Sequence, residues 1–280
     1  MDDRNRLITS YGLKYYSDCE QPFINIDNPS IIAGFSGYLK RQVKLINNSY
    51  TVFYRGQNLN YHIVPSIFRP PKHKIDNTLI RKRITAYNEL VKETPKLYPN
   101  NYRFTVENID PILQHYGIRT PWIDLVDNIF TALWFAIHTP EKNPNGLIEY
   151  KISNNEYGWL YFLIMRNENE NLIYRDLREL HSSLSLRLHT QHGISVKRNV
   201  KGWNINNISL DNFVIARVRI TINKNWFKGN LFNHKYFFPN KKYDDTYSRL
   251  RQKKFANLLN KITKKNDLDG LELGSIIEYV

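Results

Sequence analysis

The period of the hydrophobic pattern changes along this chain, and that change limits its fold more than any other feature. In the first half, apolar residues recur at helical spacing. Ile31, Ile32, Phe35, Tyr38, Leu39 and Val43 form one such run just after Pro29, so a helix is predicted over 30–46. Leu79, Ile80, Ile84, Tyr87, Leu90 and Val91 form another, a basic amphipathic helix over 77–93. A third helix is expected over 105–116, stopped by Gly117, and a largely buried one over 127–138, capped by Asp127 or Asn128. The second half reads differently. GLIEYKI at 146–152, WLYFLIM at 159–165 and NFVIARVRITI at 212–222 are rich in β-branched and aromatic residues, which suits strands. Helical spacing returns over 246–262. One strand is also expected early: YTVFYR at 50–55, closed by Gly56, carries Arg55 to its tip.

Helices first and strands later favour an α+β fold, with a helical N-terminal part packed on a mixed or antiparallel sheet. No repeat and no Gly/Ser linker divides the chain. The expected layout is a helical extension at 1–48, a central unit at 49–245 and a basic helical segment at 246–280, together forming one compact body.

Charge bears on partners rather than on fold. Lys and Arg number 40 against 26 acidic residues, a formal net charge of +14. Much of the excess lies in 223–265, where 12 Lys and Arg face only Asp244 and Asp245, with nine aromatics interleaved. Cations neutralise phosphates and aromatic faces stack on unpaired bases, so Lys241, Lys242, Lys253 and Lys254 are candidate nucleic-acid contacts. The alternative is that these aromatics face the core of a generally basic chain. No apolar run approaches the roughly 18 residues of a membrane span, and the N-terminus lacks the apolar stretch of a signal peptide. The single cysteine, Cys19, allows neither an internal disulfide nor a cysteine-based metal cage. A cytoplasmic protein without a membrane partner is expected. The eight His show no His-x3-His or His-Glu-x-x-His spacing, so no metal site is expected.

Three ordered segments hold residues suited to chemistry. The first is Tyr54-Arg55-Gly56-Gln57, followed by Val64-Pro65-Ser66-Ile67-Phe68-Arg69. The second is Leu113-Gln114-His115-Tyr116-Gly117, with Thr120, Asp124 and Ala132-Leu133-Trp134-Phe135-Ala136 behind it. The third is Arg187 followed by Gln191 and Gly193. Together they resemble the FRG domain, a family named for a Phe/Tyr-Arg-Gly tripeptide. The chain departs from the family pattern at 119–126, where Arg119-Thr120-Pro121-Trp122 has an arginine before the threonine and a proline after it. The layout is also similar to that of arginine-class ADP-ribosyltransferases, which pair an aromatic-Arg-Gly strand end with an Ala-x-x-Phe-Ala-like helix and a later Glu or Gln.

That resemblance implies an ADP-ribosyltransferase-like fold and an NAD-consuming transferase or glycohydrolase, with NAD as substrate. It further implies an effector of the toxin or phage-defence type, acting on nucleic acid or a cellular protein and held by an antitoxin or other partner protein. Arg55, His115, Asp124 and Gln191 would be its catalytic residues; Tyr54, Gly56, Gln57, Tyr116 and Thr120 would hold the dinucleotide. Each also has a purely structural reading. Arg55 could cap a turn or pair with Asp124, His115 could bond carbonyls at a helix end, and Gln191 could satisfy buried backbone groups. Two other functions compete with the enzyme: a non-catalytic nucleic-acid-binding module working through 223–265, and a nucleotide sensor without turnover.

Overall fold

The structure is a computed structural model that describes residues 2–16, 22–69, 77–101, 104–166, 171–180, 185–199, 205–223, 225–226, 232–268 and 273–279. In chain order its elements are α1 (Asp2–Ser10), β1 (Tyr15–Tyr16), β2 (Phe23–Asn25), α2 (Pro29–Ile46), β3 (Tyr50–Gln57), α3 (Asn77–Glu93) and α4 (Val106–Ile112). There follow β4 (Ile123–Val126), α5 (Ile129–Ile137), β5 (His138–Lys142), β6 (Ile148–Ile152), β7 (Tyr157–Arg166) and β8 (Leu172–Asp176). The remainder are α6 (Leu177–Leu180), α7 (Leu186–Thr190), β9 (Gly193–Arg198), α8 (Ile205–Ile208), β10 (Val214–Thr221), α9 (His234–Phe237), α10 (Asp245–Leu250) and α11 (Lys253–Lys265).

Eight strands form one sheet in the order β1-β2-β10-β7-β3-β4-β9-β8. It is a mixed sheet: β10 runs parallel to β2, and the other neighbouring pairs are antiparallel. The fold is α+β. Strand β7 lies near the middle, and its run of buried residues on both faces explains why its sequence is almost uninterruptedly apolar. In β10 buried and half-buried residues alternate strictly, as the period-2 pattern of its sequence requires.

Helices α1, α2 and α5 pack on one face of the sheet, over Val52, Tyr54, Leu160, Phe162, Val218 and Ile220. Phe53, Leu125, Tyr161, Leu163, Ile194 and Val196 fill the other face. Helices α3, α4, α10 and α11 build a third core with residues near the C-terminus, including Leu268 and Leu273. Helix α5 lies unusually close to the sheet. A Cβ on Gly56 of β3 would overlap Ala132 O and stand 2.6 Å from Ala136 N, and one on Gly158 of β7 would overlap Ala136 O. Small residues on both partners let the helix backbone rest directly on two strands. Asn128 caps α5 by accepting from Phe130 N at 2.8 Å and Thr131 N at 3.3 Å.

One joint in the sheet is weak. Strand β3 pairs with β7 along its whole length, from Tyr50 to Gln57, and β4 pairs with β9 from Ile123 to Val126. Between β3 and β4 the ladder holds a single residue pair, Tyr54 with Val126. Beyond that pair, the Arg55 side chain crosses the gap and its Nη1 donates to Asp124 O at 2.6 Å, in place of a ladder bond.

The structure corrects several expectations. Residues 1–48 are not purely helical, since β1 and β2 supply an edge of the sheet. The strand expected at 146–152 forms as β6, but it pairs with β5 in a separate two-stranded ribbon. The helix expected over 246–262 is two helices, because Asp244 caps α10 by accepting from Tyr247 N and the chain turns again at Arg251 and Gln252. The helix expected over 105–116 ends as α4 and tightens into a 3-10 turn, Leu113–Tyr116, before Gly117 at φ 105°.

Candidate functional site

That 3-10 turn carries Gln114 and His115 toward the gap between β3 and β4. Asp124 comes from β4, and Gln191 sits at the C-terminal end of α7, just before β9. The His115 side chain is 4% exposed, with Nδ1 3.0 Å from Gln191 Oε1 and Nε2 3.2 Å from Asp124 Oδ1. Gln191 Nε2 donates to Phe237 O at 2.8 Å, which fixes the amide and turns its oxygen to His115. His115 Nδ1 must therefore carry a proton. A second proton on Nε2 makes the ring a cation facing the Asp124 carboxylate, in an ion pair rather than a well-aligned hydrogen bond.

Burial opposes charge on both members of this pair, yet their mutual attraction outweighs it. Desolvation lowers the His115 pKa, but Asp124 and Gln191 raise it further, and the net shift is upward. Desolvation raises the Asp124 pKa, but His115, Arg55 and Gln114 hold it below the usual carboxylate range. Gln114 is oriented in turn by Thr120, whose Oγ1 donates to Gln114 Oε1 at 2.7 Å. Asp124 is the member that reaches solvent, with its side chain 25% exposed.

The pair predicts a pH window. A raised His115 pKa contributes stability that is complete below about pH 6.5 and fades as pH climbs through the folded value. A lowered Asp124 pKa contributes stability that is complete above about pH 3.9 and fades as pH drops through the folded value. The pair therefore stabilises fully between those limits. Thermal melts from pH 4 to 9 should show that His115→Gln loses most relative to wild type inside this window. A wild-type-to-variant difference independent of pH would refute the charged pair.

These groups line a cavity of about 250 Å³ with Arg55, Gly56 and Gln114. Most of its remaining wall is aromatic, Phe135 from α5, Tyr150 from β6, and Phe238 and Tyr279 from the chain beyond, with Val126, Ala132 and Ile277 between them. Tyr150 and Phe238 stack at 4.6 Å and 11°, and Phe238 and Tyr279 at 4.4 Å and 23°. Tyr279 is brought there by a C-terminal segment tied down by Ile277 N to Tyr116 O at 3.0 Å and Tyr247 Oη to Ile277 O at 3.0 Å.

Of the residues expected to form the site, the cavity unites Arg55, His115, Asp124 and Gln191, with Tyr54 and Gly56 at its edge. The Tyr54 hydroxyl faces away, 2.6 Å from Ser36 Oγ under α2. Gln57, Thr120 and Tyr116 stand outside the lining. Gln57 accepts from Arg55 Nε at 3.3 Å and so braces the guanidinium, while Thr120 orients Gln114. The Tyr116 hydroxyl donates to the buried Asp244 carboxylate, and its ring helps enclose Arg187. Arg187 is fully buried among Tyr116, Tyr247, Tyr279 and Phe238, with its guanidinium carbon 4.5 to 5.4 Å from the four ring centroids. Its Nη1 donates to His115 O at 2.9 Å, which fixes the His115 backbone from behind.

The basic stretch 223–265 divides. Phe237, Phe238, Tyr247 and Phe255 are buried, whereas Phe232, Tyr236 and Tyr243 are exposed; Phe227 lies outside the described residues. Lys241, Lys242 and Lys253 are exposed. Lys254 is also exposed, but its Nζ donates to Leu97 O at 2.6 Å and lies 3.9 Å from the Tyr98 ring centre, bracing α11. Among the described residues no group of three or more His, Cys, Asp or Glu could hold a metal ion, and no helix is long and apolar enough to cross a membrane.

A family model described as the FRG domain matches residues 50–145. That span is an FRG domain. The matched span covers β3 through β5 and contains Arg55, Gln114, His115, Asp124 and Phe135. Gln191, Phe238 and Tyr279 lie beyond it, so this FRG domain completes its cavity with later parts of the chain. No curated protein and no solved structure matches the sequence or the fold. Sequence reasoning passed over Gln114, Tyr150, Phe238 and Tyr279; only Gln114, inside a family segment, carried a signal.

Proposed function

We propose that the FRG domain binds NAD in this cavity and breaks its nicotinamide–ribose bond, passing ADP-ribose to an acceptor in the manner of an ADP-ribosyltransferase. The observation that carries this reading is an ionised, partly exposed carboxylate, Asp124, set between a guanidinium and an aromatic wall in one small cavity. Each part suits one part of the reaction. The flat faces of Phe135, Tyr150 and Tyr279 can stack on a heteroaromatic ring. Arg55 can bond a phosphate or ribose oxygen. As nicotinamide leaves with the bonding electron pair, the sugar becomes oxocarbenium-like, and the Asp124 carboxylate opposes that positive charge. An acceptor nucleophile, or water, then forms the new bond at the same carbon and gives up its proton.

His115 and Gln191 act through Asp124. Both His115 ring nitrogens and both ends of the Gln191 amide already face protein partners, so these are positioning residues. The acceptor is a cellular protein or a nucleic acid, as an effector of the toxin or phage-defence type would require. A second reading, a nucleic-acid-binding module without turnover, is favoured by exposed Lys241, Lys242 and Lys253 beside exposed Phe232, Tyr236 and Tyr243.

Nicotinamide release from NAD, measured with and without RNA, DNA or cell lysate, tests both readings. Arg55→Ala is expected to lower release about a hundredfold while the chain stays folded. No release from wild type under any of these conditions removes the enzyme reading and leaves the binding module.

A further inference from the structure

Four arginines face carboxylates. Arg178 pairs with Asp127 and Asp176, Arg249 with Asp245, Arg251 with Glu278 and Arg217 with Asp211. Others do not, Arg187, Arg198 and Arg219 among them, and three of these others, Arg55, Arg69 and Arg119, lie together. Among the described residues no carboxylate lies within ion-pair distance of Arg55, Arg69 or Arg119. They are held instead by neutral acceptors. Arg55 donates to Asp124 O and Gln57 Oε1, Arg69 donates through Nε and Nη2 to Val64 O at 3.0 and 2.9 Å, and Arg119 donates through Nη1 to Ser66 O at 3.2 Å. Val64 and Ser66 belong to one segment, which Thr120 N to Ser66 Oγ at 3.0 Å and Ile67 N to Thr120 O at 3.2 Å tie to the chain beside Arg119.

Arg69 is close enough to both Arg55 and Arg119 to be repelled by each. Arg69 is brought down to about 10 by desolvation first, then by Arg55 and Arg119, with Asp124 opposing. The Asp124 carboxylate is already engaged by His115. Each guanidinium has five N–H groups, and the bonds above use only one or two, so all three keep donors for a ligand. Fixed forks around a repelled Arg69, with no carboxylate of the described residues in an ion pair with them, describe a place prepared for a multiply charged anion.

We propose that Arg55, Arg69 and Arg119 form a diphosphate subsite beside the cavity, taking the pyrophosphate bridge of a dinucleotide whose ring and sugar occupy the cavity. The identity of that dinucleotide rests on the NAD reading above; the anion site does not. The cavity, at about 250 Å³, is below the range of pockets that enclose a whole drug-sized ligand, so most of a dinucleotide must lie outside it. Arg55 lines the cavity, and Arg69, within electrostatic reach of Arg55 and Asp124, extends the cationic surface with Arg119 toward the part that emerges.

Calorimetric titration of the full chain with inorganic pyrophosphate, and separately with inorganic phosphate, tests the site without turnover. Pyrophosphate is expected to bind about tenfold more tightly than phosphate, and the Arg69→Gln/Arg119→Gln double variant to lose about tenfold in pyrophosphate affinity. The Arg69→Lys/Arg119→Lys variant keeps both charges, guards against a folding artefact, and should recover part of that loss. In the NAD assay, the Gln double variant is expected to raise KM about tenfold with little change in kcat. Pyrophosphate affinity unchanged in a folded Gln double variant overturns the subsite. Arginine-dependent pyrophosphate binding without nicotinamide release overturns the NAD reading and leaves the subsite standing.

Discussion

Asp124→Asn is expected to cut nicotinamide release from NAD about a thousandfold while the chain stays folded. The substitution keeps the shape of the side chain and removes its charge. Two consequences follow. The oxocarbenium-like sugar loses the one carboxylate that, among the described residues, lines the cavity. His115 loses the first of the two partners that raise its pKa, so burial, the largest opposing influence, is expected to shift the ring toward its neutral form. A neutral imidazole still donates through Nδ1 to Gln191, and the asparagine amide can donate to the bare Nε2, so the local structure survives. NAD binding, read by calorimetry, is expected to change far less than turnover. A variant that keeps even a tenth of wild-type turnover would remove Asp124 from the chemistry and place the function of the pair in stability alone.

Gly56→Ala is expected to cost folding rather than chemistry. The added methyl would meet the carbonyl oxygen of Ala132 and the amide nitrogen of Ala136, which are helix backbone and cannot swing aside as a flexible side chain would. Overpacking of this kind costs about 3 kcal/mol, at the upper end of the usual range, because α5 must lift off β3 and β7 together. Denaturant unfolding of the purified variant measures the loss directly. Full stability would show that α5 can move without penalty. The third member of the tripeptide that names the family thus has a packing reason: it sets how closely α5 approaches β3. Ala132 and Ala136, one helical turn apart, are the matching small residues on α5.

Long elements were legible in the sequence because their periods repeat enough times to be read. Helices α2 and α3 and strands β3, β7 and β10 occur where the apolar spacing places them, within the usual uncertainty of element ends. Strands β1, β2 and β8 carry too few residues for a period to show, and β5, with Pro140 inside it, reads locally as a turn. The polar half of the site was legible through the family segments, which bring Arg55, His115 and Asp124 together. The aromatic half was not. In a chain with 14% aromatic residues, Tyr150, Phe238 and Tyr279 look like ordinary core, and only tertiary structure draws them to one wall. Arg187 was legible as the start of the third family segment, but its surroundings and the capping role of Asp244 were not. A buried cation surrounded by rings, rather than by a carboxylate, leaves no pattern of opposite charges along the chain.

The single residue pair between β3 and β4 divides the sheet into two blocks, one ending at Arg55 and the other beginning at Asp124. A ligand that touches both residues spans that seam and supplies cross-links the backbone omits. Occupancy and rigidity are then one quantity measured in two ways: whatever fills the cavity also stitches the two blocks together.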